Sequence, residues 1–173
     1  MKTPSDELRI LLDFESGDGV SLFSSVGDGV MGGMSSGRLA STATGTAVFE
    51  GDVSLEQGGG FASVRSLQRD WGTRGARAFV LRVRGDGKRY RFNVRTPGGP
   101  AAFRYEAPFE PPAGRWAEIE LPLAGMIGKL FGQRVPIVAP PDPGRIRSLG
   151  FMISDRQAGP FRLEIDWIGI RAP

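Results

Sequence analysis

Arginines and carboxylates are the groups in this sequence best placed to do chemistry. Arg82 and Arg84 stand two apart, as do Arg89, Arg91, Asn93 and Arg95, and Arg104 follows. A spacing of two on a strand puts side chains on one face. A face of guanidinium groups can hold a carboxylate, a phosphate or a sugar hydroxyl. The competing reading is a solvated face on which the arginines pair with Glu106, Glu118, Glu120, Glu164 and Asp166. A second set is Asp13, Asp18, Asp28, Asp52, Asp86, Asp155 and Asp166. Several stand beside or near glycine, where an aspartate bonds nearby amides in a turn. A third is Ser154-Asp155-Arg156-Gln157-Ala158-Gly159-Pro160-Phe161, whose polar side chains before Gly-Pro suggest a shaped loop at a sheet end. Asp155 and Gln157 there either approach Asp28 and Arg65 to line a site, or serve with them to staple loops together.

What is missing narrows the chemistry further. The chain has no histidine and no cysteine. The commonest proton shuttle, the thiolate and the disulfide are therefore all absent. Ser35-Ser36 has no recognisable base, because neither Lys88 nor Lys129 falls in a Ser-x-x-Lys pattern. A carboxylate pair for sugar hydrolysis is chemically open, but no feature selects one. No phosphate loop, dinucleotide fingerprint or zinc spacing is present. The expectation is a protein that is not an enzyme. A net charge of +3 is too small to point to nucleic acid. The N-terminus lacks the pattern of a signal peptide, and no apolar run approaches the ~20 residues of a membrane helix, so the expected location is cytoplasmic.

Stepping from these groups to what must hold them, 173 residues suit one domain spanning the chain, 1–173. The 26 glycines and 13 prolines are spread out, which fits many short strands joined by tight turns. Phe79, Leu81 and Val83 alternate with polar or outward positions, Gly85-Asp86-Gly87 turns, and Tyr90, Phe92 and Val94 alternate in their turn. Period two on both sides of such a turn predicts an antiparallel hairpin. Gly37 to Ala43 and Thr46 to Ser54 form a second hairpin through Thr44-Gly45. Phe61 to Leu67, Phe103 to Glu106, Trp116 to Leu121, Ile146 to Ser154 and Pro160 to Ile170 read as strands, and Leu123 to Phe131 as a helical turn. Nine to eleven strands without a long helix predict an all-β, antiparallel β-sandwich, with Phe79, Leu81, Tyr90, Phe92, Leu163 and Ile165 buried. The glycine-rich run from Val26 to Gly37, with Met31 and Met34 as apolar anchors, reads as a rigid loop.

That loop also carries a resemblance. Asp28-Gly29-Val30-Met31-Gly32-Gly33 with Ser35-Ser36-Gly37 resembles the complex I intermediate-associated protein 30 family. Phe49-Glu50-Gly51-Asp52-Val53-Ser54, Gly58-Gly59-Gly60-Phe61-Ala62-Ser63-Val64-Arg65, Leu81 to Tyr90, Trp116 with Leu121-Pro122, and Ser154 to Phe161 follow in order, over about Leu11 to Ile170. Phe23 and Gly27 depart from the family pattern, which often has tryptophan and asparagine there. The resemblance implies a jelly roll similar to galactose-binding domains, and a chaperone-like protein partner such as a respiratory-complex assembly intermediate. The fold also admits a carbohydrate ligand and a structural calcium ion; no other cofactor is expected. The residues expected to meet a ligand or partner are Asp28, Met31, Ser35, Arg65, Arg82, Asp155 and Gln157.

Overall fold

The computed structural model describes residues 6–27, 33–100, 102–136 and 138–173. Asp28, Val30 and Met31 of the glycine-rich run lie outside the described residues. Thirteen strands are described: β1 Glu7–Asp13, β2 Phe23–Gly27, β3 Ser36–Ser41, β4 Ala47–Val53, β5 Ala62–Ser66, β6 Ala78–Arg84, β7 Tyr90–Arg95, β8 Phe103–Phe109, β9 Trp116–Pro122, β10 Ile127–Leu130, β11 Gln133–Val135, β12 Ser148–Ile153 and β13 Gly159–Ala172. Short 3-10 turns at Asp18–Leu22, Glu56–Gly58, Leu123–Gly125 and Pro143–Arg145 are the helical segments among the described residues. No helix there is long and apolar enough to cross a membrane.

The strands form two antiparallel sheets. One runs β3-β4-β13-β6-β9, with β1 also paired to β13; the other runs β11-β10-β8-β7-β12-β5-β2. The long β13 organises the first, pairing β4 along its first half and β1 along its second. The inward residues of both sheets make the core, as the period-two pattern requires. Phe79, Leu81, Tyr90, Phe92, Leu163 and Ile165, expected inside, are each fully buried. The rings of Phe79 and Phe92 bridge the layers with centroids 4.9 Å apart, and those of Phe49 and Phe161 pack edge to face at 4.9 Å within the first sheet. Each such large side chain stabilises the fold by about 1.5–3 kcal/mol through burial.

Two local expectations are overturned. β6 and β7 are not hairpin partners: β6 pairs with β13 and β9, and β7 with β8 and β12. The Gly85-Asp86-Gly87 turn carries the chain from one sheet to the other. Its bonds reach outward instead of closing on itself. The Asp86 carboxylate accepts from the Lys88 amide at 3.1 Å, the Tyr90 hydroxyl at 3.0 Å and the Arg162 amide at 2.7 Å. Gly85 lies so close to Pro111 that a Cβ would stand 2.6 Å from its ring and carbonyl. The arginines read as one ladder are therefore split between two outer faces. Leu123 to Phe131 is also not a helical turn. Only Leu123–Gly125 turns, and the chain then pairs as β10 along β8. Glycines at 125 and 128 weaken a helix there, and the open edge of β8 supplies ladder partners.

Gly51 shows why the Phe49-Glu50-Gly51-Asp52 run has its composition. It sits opposite Gly37 on β3 and Phe161 on β13. A Cβ on Gly51 would lie 2.0 Å from the Ser36 carbonyl oxygen. Backbone cannot yield as a side-chain tip does, so Gly51→Ala is expected to destabilise the protein by about 2–4 kcal/mol. A thermal melt checks this; an unchanged midpoint would show that β3 moves aside freely.

Candidate functional groove

A groove of about 560 Å³ lies on the outer face of the seven-stranded sheet. Alternation places its floor. Ser24, Arg65, Gly150, Asn93 and Glu106 are successive cross-strand partners on β2, β5, β12, β7 and β8. On neighbouring rows of the same face stand Ser63, Met152 and Arg91, then Ser148 and Arg95. Arg104 and Lys129 face each other across β8 and β10. Phe61, Phe131 and Asp155 complete the lining used below.

Glu106 lies behind one wall, outside the lining itself. It is fully buried, yet it stands on the outer face of its sheet. Three cations surround it: Arg91, Arg104 with Nε at 3.3 Å and Lys129 with Nζ at 3.5 Å. Arg91 also binds Asp155 at 2.6 Å. Five cations thus line the groove, Arg65, Arg91, Arg95, Arg104 and Lys129, against one described carboxylate in the lining, Asp155, with Glu106 buried behind it. The cost of this imbalance is visible in the bases. Burial, and then the charge of Arg104, lower the pKa of Arg65. Burial, then Arg65 and Arg104, lower that of Arg95 from 12.5 to about 10. The protonated form of Arg95 is the one disfavoured by the fold. Its penalty is full below about pH 10 and lifts as pH rises from there toward 12.5.

The expected site residues fall as follows. Arg65 and Asp155 line the groove, but Asp155 is bound by Arg91, not by Arg65. Gln157 staples the loop before β13 to the start of β7. Its Nε2 donates to the Arg89 carbonyl at 2.8 Å and to the Ser154 carbonyl at 2.9 Å, and its Oε1 accepts from the Arg89 amide at 2.9 Å. The Ser35 hydroxyl ties its segment to the end of β4, donating to the Ser54 carbonyl at 3.2 Å and accepting from the Ser54 amide at 3.0 Å. Arg82 is on the other sheet, paired to Asp166 at 3.1 Å beside Trp116. Asp28 and Met31 lie outside the described residues. Among the described residues, no group of three or more carboxylates, histidines or cysteines is placed to hold a metal.

Sequence reasoning had not singled out Glu106, Lys129 or Phe131 as parts of a site. Glu106 is two from Arg104 and shares its face, which was the available signal. Phe131 was hidden by the helical-turn reading. It sits with Gly132 in the two-residue turn joining β10 to β11, at φ 50° and 75° respectively. That turn geometry favours Asn-Gly, and a phenylalanine with left-handed backbone is strained. Its side chain gains nothing from the core, being 80% exposed at the groove rim.

Two consequences are measurable. Glu106→Gln leaves three cations facing one another without their anion and is expected to cost about 3–5 kcal/mol; chemical denaturation reads this, and a loss under 1 kcal/mol would contradict the account. Phe131→Asn relieves the turn and is expected to raise stability by about 1 kcal/mol, read as a higher melting midpoint.

The fold matches the family 11 carbohydrate-binding module of the cellulosomal cellulase Lic26A-Cel5E of Clostridium thermocellum, with a TM-score of 0.70, 18% identity, and coverage of 98% of this chain and 96% of that one. The family 11 module solved in complex with a β-1,3-1,4-mixed-linked tetrasaccharide matches with a TM-score of 0.68 at 19% identity, over 95% of each chain. These likenesses establish the jelly-roll sandwich. In sequence, the mouse (Mus musculus) mitochondrial complex I intermediate-associated protein 30 is 30% identical over 124 residues, covering 61% of this chain and 33% of the mouse protein. The chain therefore spans about a third of the length of that curated relative. The family model described as Complex I intermediate-associated protein 30 (CIA30) matches residues 12–165, and the chain belongs to that family.

Proposed function

We propose that this protein is a non-catalytic binding protein that acts like an assembly factor, taking a protein partner in the groove of the seven-stranded sheet. The observation that carries the reading is the groove itself, open and cationic, in a chain of the CIA30 family. The name of the mouse relative speaks of association with a complex I intermediate, and a protein partner for this chain follows from that kinship. Turnover is disfavoured by composition, since there is no histidine or cysteine, and by the state of the carboxylates. Glu106 and Asp155 are both held by Arg91, which suits fixed charges better than a proton shuttle.

A second reading is a carbohydrate-binding module. It is favoured by the likeness to a module that holds a tetrasaccharide and by Phe131, an exposed ring at the groove rim on which a sugar can stack. A photoreactive phenylalanine analogue in place of Phe131 separates the two. Irradiation in a lysate of the source cells is expected to give one reproducible protein adduct, competed by unlabelled protein and absent when the analogue replaces Trp116 on the other sheet. No adduct, together with binding of the wild-type protein on a β-glucan array, would establish the carbohydrate reading instead.

A further inference from the structure

We propose that the groove selects an acidic segment of its protein partner, seating a carboxylate on Arg65; this rests on the reading that the groove takes a protein. Three observations meet at one place. First, the negative charges are on the wrong side of the groove to serve Arg65. Glu106 is engaged with Arg91, Arg104 and Lys129, and Asp155 with Arg91. Arg65 forms no ion pair with any described carboxylate, and the charge it does feel is that of Arg104. Arg95 adds a third guanidinium to the same field. An incoming carboxylate supplies the counter-charge that no described carboxylate gives Arg65, and a guanidinium fork binds it through paired N–H donors.

Second, the floor beside Arg65 is clear. Its partner on β12 is Gly150, and Gly150 in turn partners Asn93 on β7. The strand between Arg65 and Asn93 contributes no side chain at that register, and a Cβ on Gly150 would stand 2.7 Å from the Val64 carbonyl oxygen.

Third, Asn93 is 6% exposed, and its Oδ1 accepts no hydrogen bond. A buried acceptor without a donor is costly, and such groups are rare enough to need a reason. A donor from a ligand satisfies it. Neighbouring strands lie about 4.8 Å apart, so Arg65 and Asn93 are roughly 10 Å apart across the floor. An extended peptide offers backbone N–H donors and acidic side chains at that spacing. A neutral glucan offers hydroxyl donors but no charge for Arg65.

The experiment uses the full chain and a labelled peptide alternating glutamate and alanine, with its glutamine counterpart, followed by fluorescence anisotropy at low salt. The glutamate peptide is expected to bind at least about 10-fold tighter, with an affinity that falls as salt rises. Arg65→Gln is expected to remove about 10-fold of that affinity, Arg65→Lys to retain most of it, and Arg38→Gln on the exposed face of the other sheet to change nothing. Melting curves of each variant establish that it is folded. Equal binding of the two peptides overturns the proposal, as does an Arg65→Gln protein that binds as well as Arg38→Gln. Binding of oligogalacturonate in preference to the glutamate peptide overturns it too, in favour of an acidic glycan. Photo-crosslinking at position 131 keeps the two readings apart. An adduct that persists undiminished in Arg65→Gln overturns the acidic seat while the protein-binding groove stands; no adduct from the wild-type background removes the protein-binding reading itself.

Discussion

The structure of the groove depends on one buried carboxylate. Glu106 lies fully buried on what should be the outer side of its sheet. Desolvating a single carboxylate is expensive, and attraction to neighbouring cations must offset it. Arg91, Arg104 and Lys129 supply that attraction from β7, β8 itself and β10. Each of those cations is in turn largely covered, with side chains 20%, 12% and 15% exposed. The arrangement locks three strands through charge on the face opposite the apolar core. It also sets one carboxylate against three cations, and Arg65, across the groove, pairs with no described carboxylate.

The other sheet shows the same residue types in a different balance. On its outer face Arg38 and Arg162 share Glu50, Arg162 and Arg84 share Glu164, and Arg82 holds Asp166. Arg82 and Arg84 lie 5.6 and 5.0 Å from the centre of the Trp116 ring. Charges of both signs alternate across strands there, and the exposed pairs, such as Arg38 with Glu50, contribute little to stability. One molecule therefore contains both readings of an arginine-rich strand. Sheet β3-β4-β13-β6-β9 carries the neutral, solvated one, and the seven-stranded sheet carries the cationic one.

The sandwich was legible in the sequence because burial of one face imposes period two, and period two survives in the order of Phe79, Leu81, Val83 and of Tyr90, Phe92, Val94. Which strands are neighbours was not legible, because the signal for a tight turn is local. Gly85-Asp86-Gly87 reads the same whether it closes a hairpin or crosses between sheets. The deciding bonds, from Asp86 to Arg162, span 76 positions. The same limit hid the site. Arg104 and Glu106 are visibly on one face, but the cations that surround Glu106 also come from β7 and from β10, a strand whose glycines read locally as a helical turn. Arg65 was picked from the Phe61-to-Arg65 motif, while its cross-floor partner Asn93 was seen only as a member of a ladder.

The departures from easy stability converge at this groove. A phenylalanine occupies a turn position suited to asparagine and shows its ring to solvent. Burial, and then neighbouring guanidinium charge, lower the basicity of Arg65 and Arg95. A buried amide oxygen has no donor. The core beneath has no comparable fault: it is continuous, aromatic and closed by backbone approaches as tight as that of Gly51 to β3. A chain without disulfides has every reason to avoid such costs where the fold alone is at stake. Their meeting on one face is what is expected where local rules are broken for binding, not for folding. The three are also complementary, since one ligand could bring an anion to the guanidinium groups, a donor to the amide oxygen and an apolar surface to the exposed ring.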